Sequence, residues 1–254
     1  YFHVWANAFQ PGSMLSEKLL LQRDPVLHYA TKEAQGNISG LLFRVNGGPV
    51  RWEMDKEHND ICRVDLLTPL LPDSRAVITV MFRLKIPRHG AGDLGHSRQS
   101  YFLSNWYPKP ALYNSKGWQY TPMIPNGGFP GEYGDYSVRI TLPRNYVVAS
   151  SGRILDDPDE EKWMDNLNDK TRKINRWGRR ESAGFPASSG KTKTLTLVQE
   201  HTNDFALSLD KRFHYLADTL HIGDDNRVIE VMLYFTVIEG IFWSGSMTAV
   251  KRAV

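Results

Sequence analysis

RAVITVMFRLKIP, residues 75–87, carries the clearest mark of the fold class. Ala76, Ile78, Val80, Phe82, Leu84 and Ile86 alternate with Val77, Thr79, Met81, Arg83 and Lys85. A period of two sets successive side chains on opposite faces of a β-strand, and one face of a helix cannot be lined that way. Working outward, the same alternation recurs at Cys62, Val64 and Leu66, at Tyr136, Val138, Ile140 and Leu142, and at Ile229, Val231, Leu233 and Phe235. Shorter strand candidates are Leu41 to Val45, Tyr146 to Ala149 and Thr194 to Gln199. Turn-forming groups separate them: Asn46-Gly47-Gly48-Pro49, Pro72-Asp73-Ser74, Pro143-Arg144-Asn145 and Gly223-Asp224-Asp225-Asn226. The opening run YFHVWANAF reads as a further strand. These patterns predict an all-β fold, a multi-stranded β-sandwich.

One segment departs from the period of two. From Asp156 to Glu181, Trp163, Leu167, Ile174 and Trp177 fall at helical spacing behind an Asp-Asp-Pro start, which predicts one inserted helix over about 157–181. Its acids, Asp157, Asp159, Glu160 and Glu161, stand first, and its bases, Lys170, Arg172, Lys173, Arg176, Arg179 and Arg180, stand last. That order complements the helix dipole. The bases have acids beside them and no interleaved aromatics, so a surface helix is expected rather than a phosphate-binding patch.

Composition removes several function classes. With 31 Lys plus Arg against 28 Asp plus Glu the net charge is only +3, which creates no broad field for nucleic acid. The longest apolar run is a handful of residues, far below the roughly 20 that a helix needs to span a bilayer, so no membrane span is expected. The single cysteine, Cys62, excludes an internal disulfide framework. That leaves the compartment open, since exported bacterial proteins often lack disulfides, and a parent protein in the periplasm or cell envelope is compatible with it.

Catalytic motifs are missing from the sequence. A zinc peptidase needs two imidazoles one helical turn apart and a glutamate beside the first, giving H-E-x-x-H. None of the eight histidines is followed directly by glutamate. His89 and His96, in a Gly-rich loop, would need converging carboxylates to hold a metal, and a solvated loop is the plainer reading. Gly190-Lys191-Thr192 resembles the end of a phosphate-binding loop, but Phe185 stands where that motif needs its first glycine. The sequence therefore predicts no catalytic residue and no metal ligand.

The segment Tyr101–Tyr136, YFLSNWYPKPALYNSKGWQYTPMIPNGGFPGEYGDY, carries ten aromatics, five prolines and five glycines. It shows neither periodicity, so side-chain packing must hold it, and ordered loops of this length are commonly functional. The expectation is an aromatic clasp with Trp106 and Trp118 buried. An exposed aromatic platform for a sugar or a peptide is the alternative.

Within that segment NWYPKPALYNSKGW, followed by GEYGDYSVRITLPRNYVVASSG, resembles a signature of zinc aminopeptidases of the aminopeptidase N type. The bacterial branch carries Q-W-[FY]-P-K, then G-W, then G-E-[FY] before a strand ending in proline. FHVWANAF is similar to that family's F-H-L-W-P-N-A-F, residues 67–87 resemble its following strand pair, and HTNDFALSLDKRF resembles its V-H-D-F-A segment. The four landmarks occur in family order and span most of the chain up to about Phe235.

The resemblance implies a saddle-like N-terminal β-domain over residues 1–240, with upstream strands missing, and the truncated start of a catalytic domain over 241–254. Such a domain is non-catalytic. It braces the catalytic domain of the same polypeptide and walls the cleft that takes the parent's peptide substrate, while zinc belongs to the catalytic domain. By motif the resemblance assigns substrate-side positions to Asn105, Trp106, Tyr107 and Glu132. Asn105 stands where the family has glutamine, one methylene longer, and Asn114 stands where it usually has aspartate. The alternative is a binding or scaffold protein that kept the β-domain without a functional zinc site. A domain cut at both ends should also leave an unpaired sheet edge at Tyr1 and uncovered apolar residues at Ile241, Phe242 and Trp243.

Overall fold

The structure, a computed structural model, describes residues 1–88, 94–127, 131–175, 177, 184–222, 227–243 and 245–253. About 40% of the chain is strand, in several antiparallel sheets, against 16% helix, so the fold is all-β with a few helices. It divides into two units, residues 1–136 with 199–208, and residues 137–198 with 209–254.

The first unit opens with β1 (Phe2–His3), a 3-10 turn over Trp5–Ala8 and α1 (Met14–Leu21). β2 (Asn37–Val45), β3 (Gly48–Pro49), β4 (Trp52–Met54), β5 (Ile61–Val64) and β6 (Ile78–Lys85) come next. Then come β7 (Leu94–Ser97), β8 (Ser100–Leu103), β9 (Lys109–Pro110), β10 (Leu112–Asn114) and β11 (Gly117–Gln119). β1 is flanked by β5 and β9 in a four-stranded sheet ordered β4-β5-β1-β9, with Phe2 opposite Cys62 on one side and Pro110 on the other. The expected open edge at Tyr1 is therefore corrected, because the strand that begins there is internal and its side chains are buried. The expected longer strand is corrected too. Every residue from Val4 to Phe9 is buried, which a strand with one solvent face cannot achieve, and the chain coils instead. Asn7 holds that coil in place, donating to the Asn59 carbonyl at 3.0 Å and accepting from the Ile38 N–H at 2.6 Å.

The decisive strand pairs with β2 as its length and alternation require. Val45 faces Ile78 and Asn37 faces Lys85, with an extra residue inserted on β2 between Ser39 and Leu42. Gly40 there has φ +64°, the left-handed conformation that glycine adopts at no steric cost, so the insertion is a β-bulge. It shifts the buried phase from Ile38 to Leu41 and Phe43. That break in alternation explains why the sequence shows only the second half of β2. At its far end Asn46 and Gly47 both have positive φ, the two-residue hairpin turn that Asn-Gly favours.

The second unit contains most of β12 (Gly134–Pro143), then β13 (Val147–Ser150), β14 (Arg153–Ile154) and α2 (Pro158–Arg172). β15 (Thr192–Thr202) and β16 (Leu207–Asp210), each divided between the two units, are followed by β17 (His214–Ile222), β18 (Arg227–Phe235), α3 (Gly240–Trp243) and α4 (Ser246–Ala253). Asp157 caps α2 by accepting the Glu160 N–H at 3.0 Å, and Pro158 fills the first helical position. The helix stops at Arg172, short of the expected Glu181. Trp177, which extended the helical spacing, packs instead edge-on against His214 and Phe235, at ring distances of 4.9 and 5.3 Å. Arg176, Arg179 and Arg180 lie outside the described residues.

α2 also finishes the sheet beside it. Its last turns offer Asn168 Oδ1 to the Ala217 N–H at 3.2 Å and Thr171 Oγ1 to the Tyr215 N–H at 3.3 Å, and Arg172 donates to the Ala217 carbonyl. Among the described residues β17 pairs only with β18, so these side chains stand in for a third strand along its other edge. Beneath them Val147, Met164, Phe213 and Tyr215 form a buried cluster. α1, α3 and α4 accompany the inserted helix α2, and α1 escapes sequence analysis because its eight residues span barely two turns.

At the other end of α2, Glu160 pairs with Lys193, both side chains less than a tenth exposed, and the ammonium lies 4.2 Å from the Trp163 ring. Burial raises the Glu160 pKa and lowers that of Lys193, while the mutual attraction opposes both shifts. Removing one partner strands the other as an uncompensated buried charge. Glu160→Ala is expected to cost about 3–5 kcal/mol, and replacing both residues by apolar ones to cost far less, as read by urea unfolding of the two variants.

Candidate functional site

Asp204, on the loop between β15 and β16, organises the site. After β8 the chain turns at Asn105, whose φ of +49° is one that asparagine enters more readily than most residues. The turn closes around the Asp204 carboxylate. The Ser104 hydroxyl and the Asn105 backbone N–H donate to Oδ2 at 2.9 and 3.0 Å, and the Tyr107 hydroxyl donates to Oδ1 at 3.0 Å. The Asn105 amide donates to Ser104 Oγ at 3.1 Å, which leaves the serine proton for the carboxylate. The Trp106 indole N–H donates to the Phe205 carbonyl at 3.0 Å. The Tyr107 hydroxyl is also hydrogen-bonded to that of Tyr136, at 3.0 Å. Burial, this hydrogen bond and the charge of Asp204 all push the Tyr107 phenol far above its ordinary range.

A second layer joins the site through the sheet. Lys109, on β9, lies opposite His3, on β1. His3 is fully buried and stacks on Trp5, with ring centroids 4.4 Å apart. Lys109 is 3% exposed and its Nζ is 5.6 Å from the Trp5 ring. At Gly131 a Cβ would stand 2.8 Å from that Nζ, so a side chain there would displace the lysine tip. Among the described residues, both His3 nitrogens, Lys109 Nζ and Asn105 Oδ1 have no hydrogen-bond partner. Burial, then the neighbouring Lys109, lowers the His3 pKa to about 4, and burial lowers that of Lys109 against the pull of Asp204. Unpartnered polar groups in a protein interior are costly and concentrate at functional sites.

Of the residues proposed from sequence, Asn105, Trp106 and Tyr107 come together at Asp204, with Asn105 buried and the two rings half-buried. Glu132 does not join them; it is exposed and makes no hydrogen bond within the described residues. Trp118 is corrected from buried to 45% exposed, because it lies on the β10–β11 hairpin, a regular element that the proline and glycine content of the segment conceals. Asn114 serves its turn, accepting the Lys116 N–H at 2.9 Å. His96 sits on β7 with Nδ1 3.0 Å from the Arg98 carbonyl, and His89 lies outside the described residues. Sequence reading does not single out Asp204 and His3 as site residues, and only their place in the two flanking landmarks points to them.

The arrangement orders a turn and holds several polar groups in reserve. Among the described residues no three His, Cys, Asp or Glu side chains gather to hold a metal, and no helix is long and apolar enough to cross a membrane. No family model, no curated protein and no solved structure matches the chain.

This geometry has two measurable outcomes. Asp204→Ala leaves the Ser104, Asn105 and Tyr107 donors unanswered and is expected to cost about 2–4 kcal/mol in chemical denaturation. His3 has a folded pKa below its ordinary 6.5, so its contribution is complete above about pH 6.5 and fades as the pH falls towards 4. The stability difference between pH 7 and pH 4 should shrink by about 3 kcal/mol in His3→Asn, measured by urea titration at both values.

Proposed function

We infer that this chain is the non-catalytic N-terminal β-domain of a zinc aminopeptidase of the aminopeptidase N type. Its role is to brace a catalytic domain on the same polypeptide and to wall one side of a peptide-binding cleft. The observation that carries this reading is the meeting of three separate landmarks. His3 of FHVWANAF pairs with Lys109 of NWYPK, and the turn before Lys109 closes on Asp204 of HTNDF, 99 residues from Asn105.

On this reading Asn105 contributes in two ways. Its backbone N–H fastens the turn, and its amide, which the motif sets beside a peptide's free amine, lies buried behind the wall with Oδ1 unpartnered among the described residues. Trp106 and Tyr107 fix that wall. Ile241, Phe242 and Trp243, 46%, 77% and 48% exposed, supply apolar surface of the kind a neighbouring domain covers. The zinc ligands would belong to that domain, since this chain has no imidazole pair at ligand spacing, and a zinc-bound water would perform the hydrolysis there.

The test compares this chain with a polypeptide that continues past Val254. The chain alone should bind no stoichiometric zinc and release nothing from an aminoacyl reporter, whereas the longer polypeptide should do both and lose activity to a chelator. A continuation without H-E-x-x-H would overturn the reading and leave the scaffold alternative.

A further inference from the structure

Among the described residues β6 pairs only with β2, so one edge of the sheet β3-β2-β6 is open along eight residues. Alternate residues of an edge strand point their N–H and C=O away from the one neighbour, and those groups can pair with a further strand. Two devices that commonly close such an edge are missing from β6: it contains no proline, and the bulge of this sheet lies on β2. The layer under β6 is also unfinished. Ile38, Leu41 and Phe43 of β2 are buried, whereas Val80, Phe82 and Leu84, on the same face of β6, are half-buried and Ile78 is 39% exposed. One more strand beside β6 would cover both the open backbone and that apolar flank.

The other face of the sheet selects by charge. Arg83 and Lys85 of β6 and Arg44 of β2 flank a cross-strand pair of exposed apolar side chains, Leu42 and Met81. Neither β2 nor β6 contains an acid. Lys85 donates to the Lys32 carbonyl and lies near Glu33, and Arg44 donates to the Gly47 carbonyl at 3.3 Å. The Arg83 guanidinium, on the edge strand itself, has no hydrogen bond or ion pair among the described residues. A second copy of β6 would bring the same cations and no carboxylate, and like charges on neighbouring strands repel. These cations therefore turn away copies of this chain and favour a strand of opposite charge.

We propose that the open edge of β6 takes up an extended acidic peptide as an added strand. Its carboxylates alternate with apolar residues, so that the former face Arg83 and Lys85 while the latter cover Val80, Phe82 and Leu84. Main-chain pairing supplies the attachment, and the alternate side chains supply the selection. The proposal stands apart from the aminopeptidase reading and survives or fails without it.

Fluorescence anisotropy with a labelled, end-capped octapeptide of alternating glutamate and valine tests it. This peptide should bind the chain with a Kd of about 10–100 μM, its lysine–valine counterpart should not bind at about 1 mM, and Arg83→Glu should weaken the acidic peptide about tenfold. Two further acidic peptides carry N-methyl groups on alternate residues, in opposite phases. Strand addition lets only one of the two bind, because only alternate N–H groups face β6. That comparison uses the unaltered chain, so it decides the matter even if the arginine variant fails to fold. No binding with the chain at about 1 mM, equal loss with both N-methylated peptides, an affinity that Arg83→Glu leaves unchanged, or self-association of the chain that competes the peptide away would each overturn the proposal.

Discussion

The first unit depends on one carboxylate. Residues 104–110 contain two prolines, Pro108 and Pro110, and proline has no N–H to give to a neighbouring strand. A segment so poor in backbone donors needs another anchor, and Asp204 provides it by taking a serine hydroxyl, a main-chain N–H and a phenol at once. An ionised acceptor makes each of these bonds stronger than its neutral counterpart. The anchor comes from a distant part of the chain, so the turn can take its final path only after long-range contacts exist.

Behind that anchor the interior carries polar groups that stability alone would not select. His3 and Lys109 sit on adjacent strands, both buried; burial makes each harder to protonate, and the Lys109 charge adds to the effect on His3. A leucine or methionine at either place would avoid the desolvation cost. Their presence beside Asn105, whose own oxygen is unanswered, concentrates three exceptions to ordinary core composition in one region. The second unit handles its buried charges differently, with Glu160 and Lys193 joined directly.

Much of the strand architecture is legible because its strands have one dry face and one wet face. The alternation in residues 75–87 corresponds to β6, and those beginning at Tyr136 and Ile229 correspond to most of β12 and β18. β17 escapes because Tyr215 and Leu216 are both buried, and a strand covered on both faces shows no alternation. The inserted helix is found from its cap and its spacing, yet its end is overrun because Trp177 keeps helical phase while serving a different contact. At the site, Asn105, Trp106 and Tyr107 stand out through likeness to a known motif. Asp204 lies in another landmark of the same family likeness, but its role comes only from partners that the fold brings to it.

The bulge at Gly40 has a bearing on how this chain can vary. Ile38 lies before it and Leu41 and Phe43 after it, all facing inward, although their numbers differ in parity. The strand therefore behaves like a message with a reading frame, in which the extra residue restores the sense of every later letter. Lineages that lengthened or shortened β2 by one residue would turn half of its side chains inside out, whereas changes by two would keep the meaning. Variation in this sheet should thus accumulate by substitution and at the loops, and the inserted residue should persist as a fossil of the register in which the two strands first met.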